Sequence, residues 1–319
     1  MTKPAITICG SLNMDFVVRV ARMPAGGETI SGQQFQMLPG GKGANQACAA
    51  GKLSAGRFHV RMVGRTGYDV FADHLKASLA AAGVDVSGVR GCQTEATGTA
   101  MIWVDHTSGQ NSIVIAPGAN AELRASEAEG SRAAFRGAQY ALFQLENPLD
   151  TIAAMMRVAS DEGAVTVLDP APAPASGGLP GEVLRVTGVL TPNETEACLL
   201  LGIAPRRLSA EEAPEIADAL LGLGPRAVVL KLGDLGAYYK TGDASGLAPA
   251  FPVDRVVDTT AAGDIFNAAL AIALAEGRGW SEAVRFACAS AAISVTRIGA
   301  QASVPTRAEV DQFLLLASV

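Results

Sequence analysis

Between residues 138 and 231 the chain alternates short, continuous apolar runs with helical patterns. AQYALFQLE is followed by PLDTIAAMMRVASDEG, and AVTVLDP leads through a Pro/Gly/Ala loop to GVLTPN and ETEACLLLG. SAEEAPEIADALLGLG then precedes RAVVLKLGDLG. A strand apolar on both faces must be covered on both faces, which is the situation of a parallel sheet between two helical layers. This rhythm predicts an α/β fold. No internal repeat and no linker long enough to split the chain interrupts its 319 residues, so one domain is expected over 1–319. The low aromatic content (5%) and the 35 glycines suit closely packed helices on a sheet better than an aromatic-rich sandwich.

The first third reads differently. AITICG is a strand, SLNMD a polar break, and FVVRV a strand that alternates apolar with polar. GQQFQMLPGGKGANQACAAGKL reads as strand, glycine turn and helix, and FHVRMVG as another strand. DVFADHLKASLAAAGV carries Phe71, Leu75 and Leu79 at helical spacing. TGTAMIWVDHTSGQNSIVIAPGAN is the clearest hairpin, two β-rich runs around a Thr107-Ser108-Gly109 turn. These segments predict a smaller one-sided sheet, from about 13–40 and 97–117, set over the main sheet as a cover.

Several function classes drop out. The net charge is −6 and no run of Lys or Arg occurs, which disfavours nucleic acid as the main partner. No apolar run reaches the ~18 residues of a membrane span, and AALAIALA (268–275) reads as a buried helix. MTKPAITICGSLNMD has no basic segment followed by a long apolar one, and the five cysteines are scattered without a CxxC pair. Reduced, buried thiols in a cytoplasmic protein are expected. His59, His74 and His106 lie far apart, with no ligand spacing. The chemistry falls to carboxylates, lysines, backbone amides and a soluble metal ion.

The apolar strands end in polar residues: Asn13 and Asp15, Glu146, Asp169, Asn193, Lys231 and Asp234. Any one of them can cap the helix that follows. As a set they mark the carboxyl ends of the strands, where open α/β sheets bind ligands. In DTTAAGD (258–264) an apolar stretch, FPVDRVV, is expected as a strand running into small residues, with a helix starting near Ala261–Asp264. Small residues let an anion approach the unpaired amides of a first helical turn. Asp264 then reads in two ways. It is an acid that favours a helix N-terminus by a few tenths of a kcal/mol, or a general base beside a phosphate-sized site.

PGGKGANQA (39–47) lacks the spacing of a Walker loop, but Lys42 and Asn45 can donate to hydroxyls. GLGPRA (222–227) imitates a dinucleotide fingerprint yet follows a helix and precedes a strand, the reverse of what that motif requires, and the turn after the first strand carries none. A nicotinamide-dependent enzyme is disfavoured.

Taken in order, GSLNMD, PGGKGANQA, TGTAMIWVD, GQNSIVIAPGAN, QLENPLD, DPAPA, TPNETEA, KLGDLGA, DTTAAGDIFNAAL and AAISVTRIGAQASVPTRAEV resemble the PfkB carbohydrate kinase family over nearly the whole chain. The GSLNMD, TPNETEA and RIGAQASVPTR stretches are more particular to its ribose-phosphorylating branch. The resemblance implies a ribokinase-like three-layer α/β/α sandwich with a mostly parallel central sheet and a small β-sheet lid, paired lid to lid in a homodimer. It implies phosphorylation of D-ribose at O5 by ATP with Mg²⁺, activated by K⁺. The alternatives are a kinase of the same family for deoxyribose, a ketohexose or a nucleoside and, more remotely, a non-catalytic sensor on the same scaffold.

Carried over by position, the sugar site comprises Asn13, Met14, Asp15, Gly41, Lys42, Gly43, Ala44, Asn45 and Glu146, with Asp264 as base and the amides of Ala261, Ala262 and Gly263 as the anion hole. ATP lies along Asn193, Lys231, Leu232, Gly233, Asp234, Leu235, Gly236, Gly263, Asp264 and Cys288, and Asn193 and Glu196 form the element associated with the Mg²⁺-phosphate network. The K⁺ site falls on Asp258, Thr260, Ser294, Arg297, Gly299 and Ser303, several through carbonyls. Two departures stand out. Cys288 replaces a polar or imidazole side chain, and Lys231 replaces a common threonine, with its ammonium directed either to phosphate or to solvent.

Overall fold

Alternate residues of the strand Ala5–Cys9 (β1) belong to two different cores. Ile6 and Ile8 join one apolar cluster, Ala5 and Cys9 the other. Successive side chains of a strand point to opposite faces, so β1 lies inside a three-layer structure. The computed structural model describes residues 3–105, 111–174 and 177–317. After β1 the chain forms β2 (Asn13–Val20), β3 (Gln33–Gly40), α1 (Lys42–Ser54), β4 (His59–Thr66), α2 (Val70–Ala81), β5 (Val84–Gly91), β6 (Gly98–Asp105) and β7 (Asn111–Ala116). Next come α3 (Arg132–Phe135), β8 (Ala138–Phe143), α4 (Leu149–Asp161), β9 (Val165–Leu168), α5 (Gly181–Arg185), β10 (Val189–Leu190), α6 (Glu194–Leu200), α7 (Ala213–Gly222) and β11 (Ala227–Lys231). The chain closes with β12 (Ala237–Lys240), β13 (Ser245–Ala248), α8 (Ala262–Ala275), α9 (Trp280–Ser294), α10 (Ala300–Ser303) and α11 (Arg307–Leu316).

The main sheet has nine strands in the order β13-β12-β11-β10-β9-β8-β1-β4-β5. It is parallel except at β12 and β13, which pair antiparallel at one edge. From β1 the chain builds outward through β4 and β5, then returns to place β8 on the other side of β1. The order therefore reverses between β1 and β8, and a crevice opens at their carboxyl ends. The lid is a separate sheet, β3-β2-β6-β7, in which β2 pairs parallel with β6 and the other two pairings are antiparallel.

Two helices on one face bring the site together. In α8, Asp264 through Ala273 are all buried, as an apolar helix packed on every side must be. Its neighbour α1 is rich in Gly and Ala, which lets it lie close to both α8 and the loop after β1.

Several elements depart from the sequence expectation. The polar break after β1 is shorter than expected: β2 starts at Asn13, so Asn13, Met14 and Asp15 belong to the lid strand itself. FPVDRVV is not a strand. Pro252 has no N–H to give a sheet ladder. The stretch is tied instead to the end of α9, where Val257 N–H and Asp258 N–H both donate to Val295 O. The short antiparallel strands β12 and β13, and the edge strand β5 with its mixed burial, carry no apolar pattern strong enough to signal them. His106 and the Thr107-Ser108-Gly109 turn lie outside the described residues.

Candidate active site

Gly41 starts α1 with φ 89°, and Gly43 lies where a Cβ would come within 2.6 Å of the Gly10 and Ser11 backbone. This close approach stitches the glycine loop to the switch point. Ala44 N–H donates to Ser11 O (2.9 Å), while Ser11 Oγ (2.5 Å) and Lys42 N–H (3.1 Å) both donate to Glu146 Oε2. Glu146 follows β8 and Ser11 follows β1, so the contact spans the crevice. Asn13 is buried on β2, and its Oδ1 accepts from Asn120 Nδ2 (2.8 Å). Asn120 also accepts from Leu12 N–H and donates to Leu12 O. It fixes the entry to the lid, although its place within the GQNSIVIAPGAN motif gave no separate sign of that role. Met14 is buried beside it. Asp15 is half-buried, and its carboxylate rests where a Cβ on Gly40 would meet it.

Asp264 sits in the first turn of α8, and Ala261 caps that helix in the left-handed region at φ 61°. A non-glycine residue held there costs roughly 1–3 kcal/mol. Asn45 Nδ2 donates to Asp264 Oδ2 (3.0 Å) and Gln46 Nε2 to Oδ1 (3.2 Å), which joins the glycine loop to the helix start. Asn45 Oδ1 is buried with no hydrogen-bond partner among the described residues. Of the three amides expected to form the anion hole, that of Ala262 is already taken, donating to Thr259 O at 3.2 Å. The turn closes on itself there.

Burial pushes Asp264 up to about 6; Lys42 opposes the shift, Asp169 adds to it, and the amides of Asn45 and Gln46 hold it back. Burial likewise lifts Asp15 to about 7, helped by Glu146 and Asp264. Burial disfavours the Lys42 ammonium, but the surrounding Asp264, Asp169, Glu146 and Glu196 outweigh it and raise its pKa above the usual range.

A chamber of about 680 Å³ opens beside Gly263. Lys231, Gly233, Asp234, Gly236, Ala262, Gly263 and Cys288 line it. Gly233 (φ 56°) and Gly236 (φ 103°) turn the loop after β11, and a Cβ on Gly236 would meet Ala248 O at 2.1 Å. Asp234 is exposed and pairs with Arg207. Leu232 is buried beneath the chamber and Leu235 lies outside its lining. Much of the wall is apolar: Phe251, Pro252, Val253, Val256, Ala292 and Val295. No motif marked these residues: they come from a segment expected as a strand and from the same face of α9 as Cys288, one and two turns further on. Burial raises the Cys288 thiol to about 12, so it acts as an apolar wall group.

Asn193 and Glu196 form a reciprocal capping box on α6. Glu196 N–H donates to Asn193 Oδ1 (2.8 Å), and Asn193 N–H and Nδ2 donate back to the carboxylate (2.8 and 2.9 Å). A backbone bridge beside Lys231 brings Asn193 to the chamber's edge.

Asp258, Thr260 and Gly299 meet: Thr260 N–H and Oγ1 donate to Asp258 Oδ1, and Gly299 N–H to Oδ2 (2.9 Å). Burial opposes ionisation of Asp258, but these donors hold its pKa below the usual value. Arg297 N–H donates to Ser294 O, and the guanidinium turns away to Glu309 (2.6 Å). Ser294 and Ser303 are buried and donate within their own helices. The Asp258 carboxylate is thus already occupied by three donors.

A crevice at the switch point, a lid strand that delivers amide and carboxylate groups, and a phosphate-sized helix start beside an apolar chamber define a kinase for a small polyol. The comparisons agree. Residues 3–307 match the model of the pfkB family carbohydrate kinases. The chain is 38% identical over 312 residues to the ribokinase of Haemophilus influenzae, covering 98% of this chain and 99% of that protein. It is 32% identical to the deoxyribokinase of Salmonella typhi, with 98% and 99% coverage. The ribokinase of Arabidopsis thaliana, solved in complex with ribose and ATP, superposes with a TM-score of 0.89 at 34% identity, over 98% of this chain and 99% of that one. The chain belongs to the PfkB family of carbohydrate kinases: it is an ATP-binding phosphotransferase with a sugar acceptor. No helix among the described residues is long and apolar enough to cross a membrane.

Proposed function

We propose that the protein phosphorylates D-ribose at O5, converting ribose and MgATP to ribose 5-phosphate and ADP. One observation carries this reading. Asp264 links the glycine loop to the chamber: Asn45 Nδ2 donates to its carboxylate at 3.0 Å, while Gly263, next to it in the chain, lines the 680 Å³ chamber. Asn13, Asp15, Lys42, Asn45 and Glu146 supply the mixed donors and acceptors that a pentose with several hydroxyls requires. The buried acceptor Asn45 Oδ1 is left for a sugar hydroxyl.

The 5-hydroxyl oxygen attacks the γ-phosphorus as its proton passes to the Asp264 carboxylate. The bond from phosphorus to the bridging oxygen breaks, and ADP leaves with that electron pair. The amides of Ala261 and Gly263 face the charge carried by the transferred group. Adenine stacks among the apolar wall residues. Asn193 and Glu196 would hold the Mg²⁺-phosphate end, where the ion would neutralise phosphate charge. Asp258, Thr260, Ser294, Arg297, Gly299 and Ser303 would hold K⁺ beside the turn that precedes α8. Two lids pair in a homodimer, and the protein works in the cytoplasm.

The deoxyribokinase relative favours 2-deoxyribose as the second reading. A coupled ADP-release assay with MgATP decides between ribose and other acceptors. Ribose is expected to be preferred, with more activity in K⁺ than in Na⁺. Preference for another acceptor overturns the substrate, and equal rates in the two salts overturn the K⁺ site.

A further inference from the structure

One buried carboxylate at the centre has no part in the mechanism above. Asp169, just past β9, is 3% exposed. Lys231 Nζ donates to its Oδ1 at 3.0 Å, and Gln46 Nε2 donates to its Oδ2 at 3.3 Å. The same Gln46 nitrogen donates to Asp264 Oδ1 at 3.2 Å, and Gln46 Oε1 is fixed by a 2.7 Å bond from Gln144 Nε2. A continuous chain thus runs from Lys231 through Asp169 and Gln46 to Asp264. Its outer end lies at the anion hole, since a Cβ built on Gly263 would come within 3.5 Å of Lys231 Nζ.

We propose that Asp169 is a positioning residue: it parks the Lys231 ammonium at the mouth of the anion hole, ready for the γ-phosphate of ATP, and keeps that ammonium off the base. This rests on the kinase reading of the site. The charged groups facing the pair are Lys42 from α1, Glu196 from α6 and Asp264 from α8. An ammonium in such a place takes the nearest carboxylate available to it. With Asp169 present, that partner is a buried carboxylate behind the chamber-lining Lys231, and donor positions of the ammonium stay open toward phosphate. Without it, the remaining carboxylates are Glu196, which the capping box needs, and Asp264, which must stay free to accept a proton. Gln46 hydrogen-bonds Asp169 and Asp264 through one amide, so the two carboxylates keep a fixed separation while Lys231 turns from one oxygen ligand to another.

A titration without sugar tests this independently of which acceptor the enzyme uses. Binding of the Mg²⁺ complex of the non-hydrolysable analogue AMP-PNP is compared with binding of ADP. For Lys231→Met, affinity for AMP-PNP is expected to fall about tenfold, the scale of one charge-assisted hydrogen bond, with ADP affinity unchanged. Asp169→Asn keeps the side-chain shape and is expected to lose AMP-PNP affinity by a similar factor, again sparing ADP. The double variant is expected to bind no more weakly than either single variant, because both changes remove one contact. Equal binding of AMP-PNP by wild type and Lys231→Met overturns the proposal, and so do losses that multiply in the double variant. Lys231 lies at the edge of the chamber, so its variant reads the pair even if the buried asparagine impairs folding. Ribose failing as an acceptor would leave these affinities untouched.

Discussion

Asp264 meets two requirements of a base that a surface aspartate does not. It is 5% exposed, and burial holds its pKa at about 6, within reach of neutral pH from below. A base acts in its deprotonated form, so kcat is expected to rise as the pH increases through about 6 and then level off. Asp264→Asn is expected to lower kcat by roughly 10²–10⁴ with sugar affinity little changed, measured by steady-state turnover and by calorimetry. Near-normal turnover would remove Asp264 from the role of base. At this scale the sequence was most legible where a motif carried the residue. Asp264 and Asn45 stood out because their neighbours were small or glycine-rich, and Glu146 because it ends an apolar strand. Asn120 and Gln46, which orient Asn13 and Asp264, did not, since a lone amide in a helix or loop carries no pattern until the partner it meets across the fold is known.

At the scale of elements, periodicity found the helices and the apolar parallel strands, and failed where a segment's hydrogen bonds go somewhere other than a sheet. FPVDRVV looked like a strand because apolar residues cluster there, yet its backbone is tied to the end of α9 and its side chains line the 680 Å³ chamber. Packing of α1 against the loop after β1 depends on Gly43, where an added methyl would press on the backbone at 2.6 Å. Backbone cannot yield as a side-chain tip can. Gly43→Ala is therefore expected to cost about 1–3 kcal/mol, seen as a lower urea midpoint, and to weaken sugar binding because Lys42 and Asn45 move with the loop. An unchanged midpoint would mean that the loop and helix separate freely.

For the whole molecule, the reversal of strand order between β1 and β8 dictates where the crevice opens, and the lid covers it. The alternation of strands and helices foretold the parallel sheet, and the hairpin foretold the lid. The lid leaves large apolar side chains in solvent, among them Phe35 (62% exposed), Met37, Ile113 and Val114. So many large apolar side chains exposed on one small sheet are the kind of surface a partner covers. Ile113 and Val114 are neighbours on one strand, so they point to opposite faces and test both. Ile113→Glu with Val114→Glu is expected to turn a dimer into a monomer in sedimentation equilibrium. A wild type that sediments as a monomer contradicts pairing through the lids.

The central claim is that this crevice selects ribose, and the most direct test sets ribose against 2-deoxyribose as competing acceptors, with both products identified by NMR. A site built to hydrogen-bond a hydroxyl leaves a buried polar group unpaired when that hydroxyl is missing, and the discrimination is large, on the order of 10²-fold or more. The account predicts ribose 5-phosphate as the main product, with kcat/KM for ribose above that for 2-deoxyribose by at least this factor. Equal or greater use of 2-deoxyribose, or phosphate on any oxygen other than O5, would contradict it.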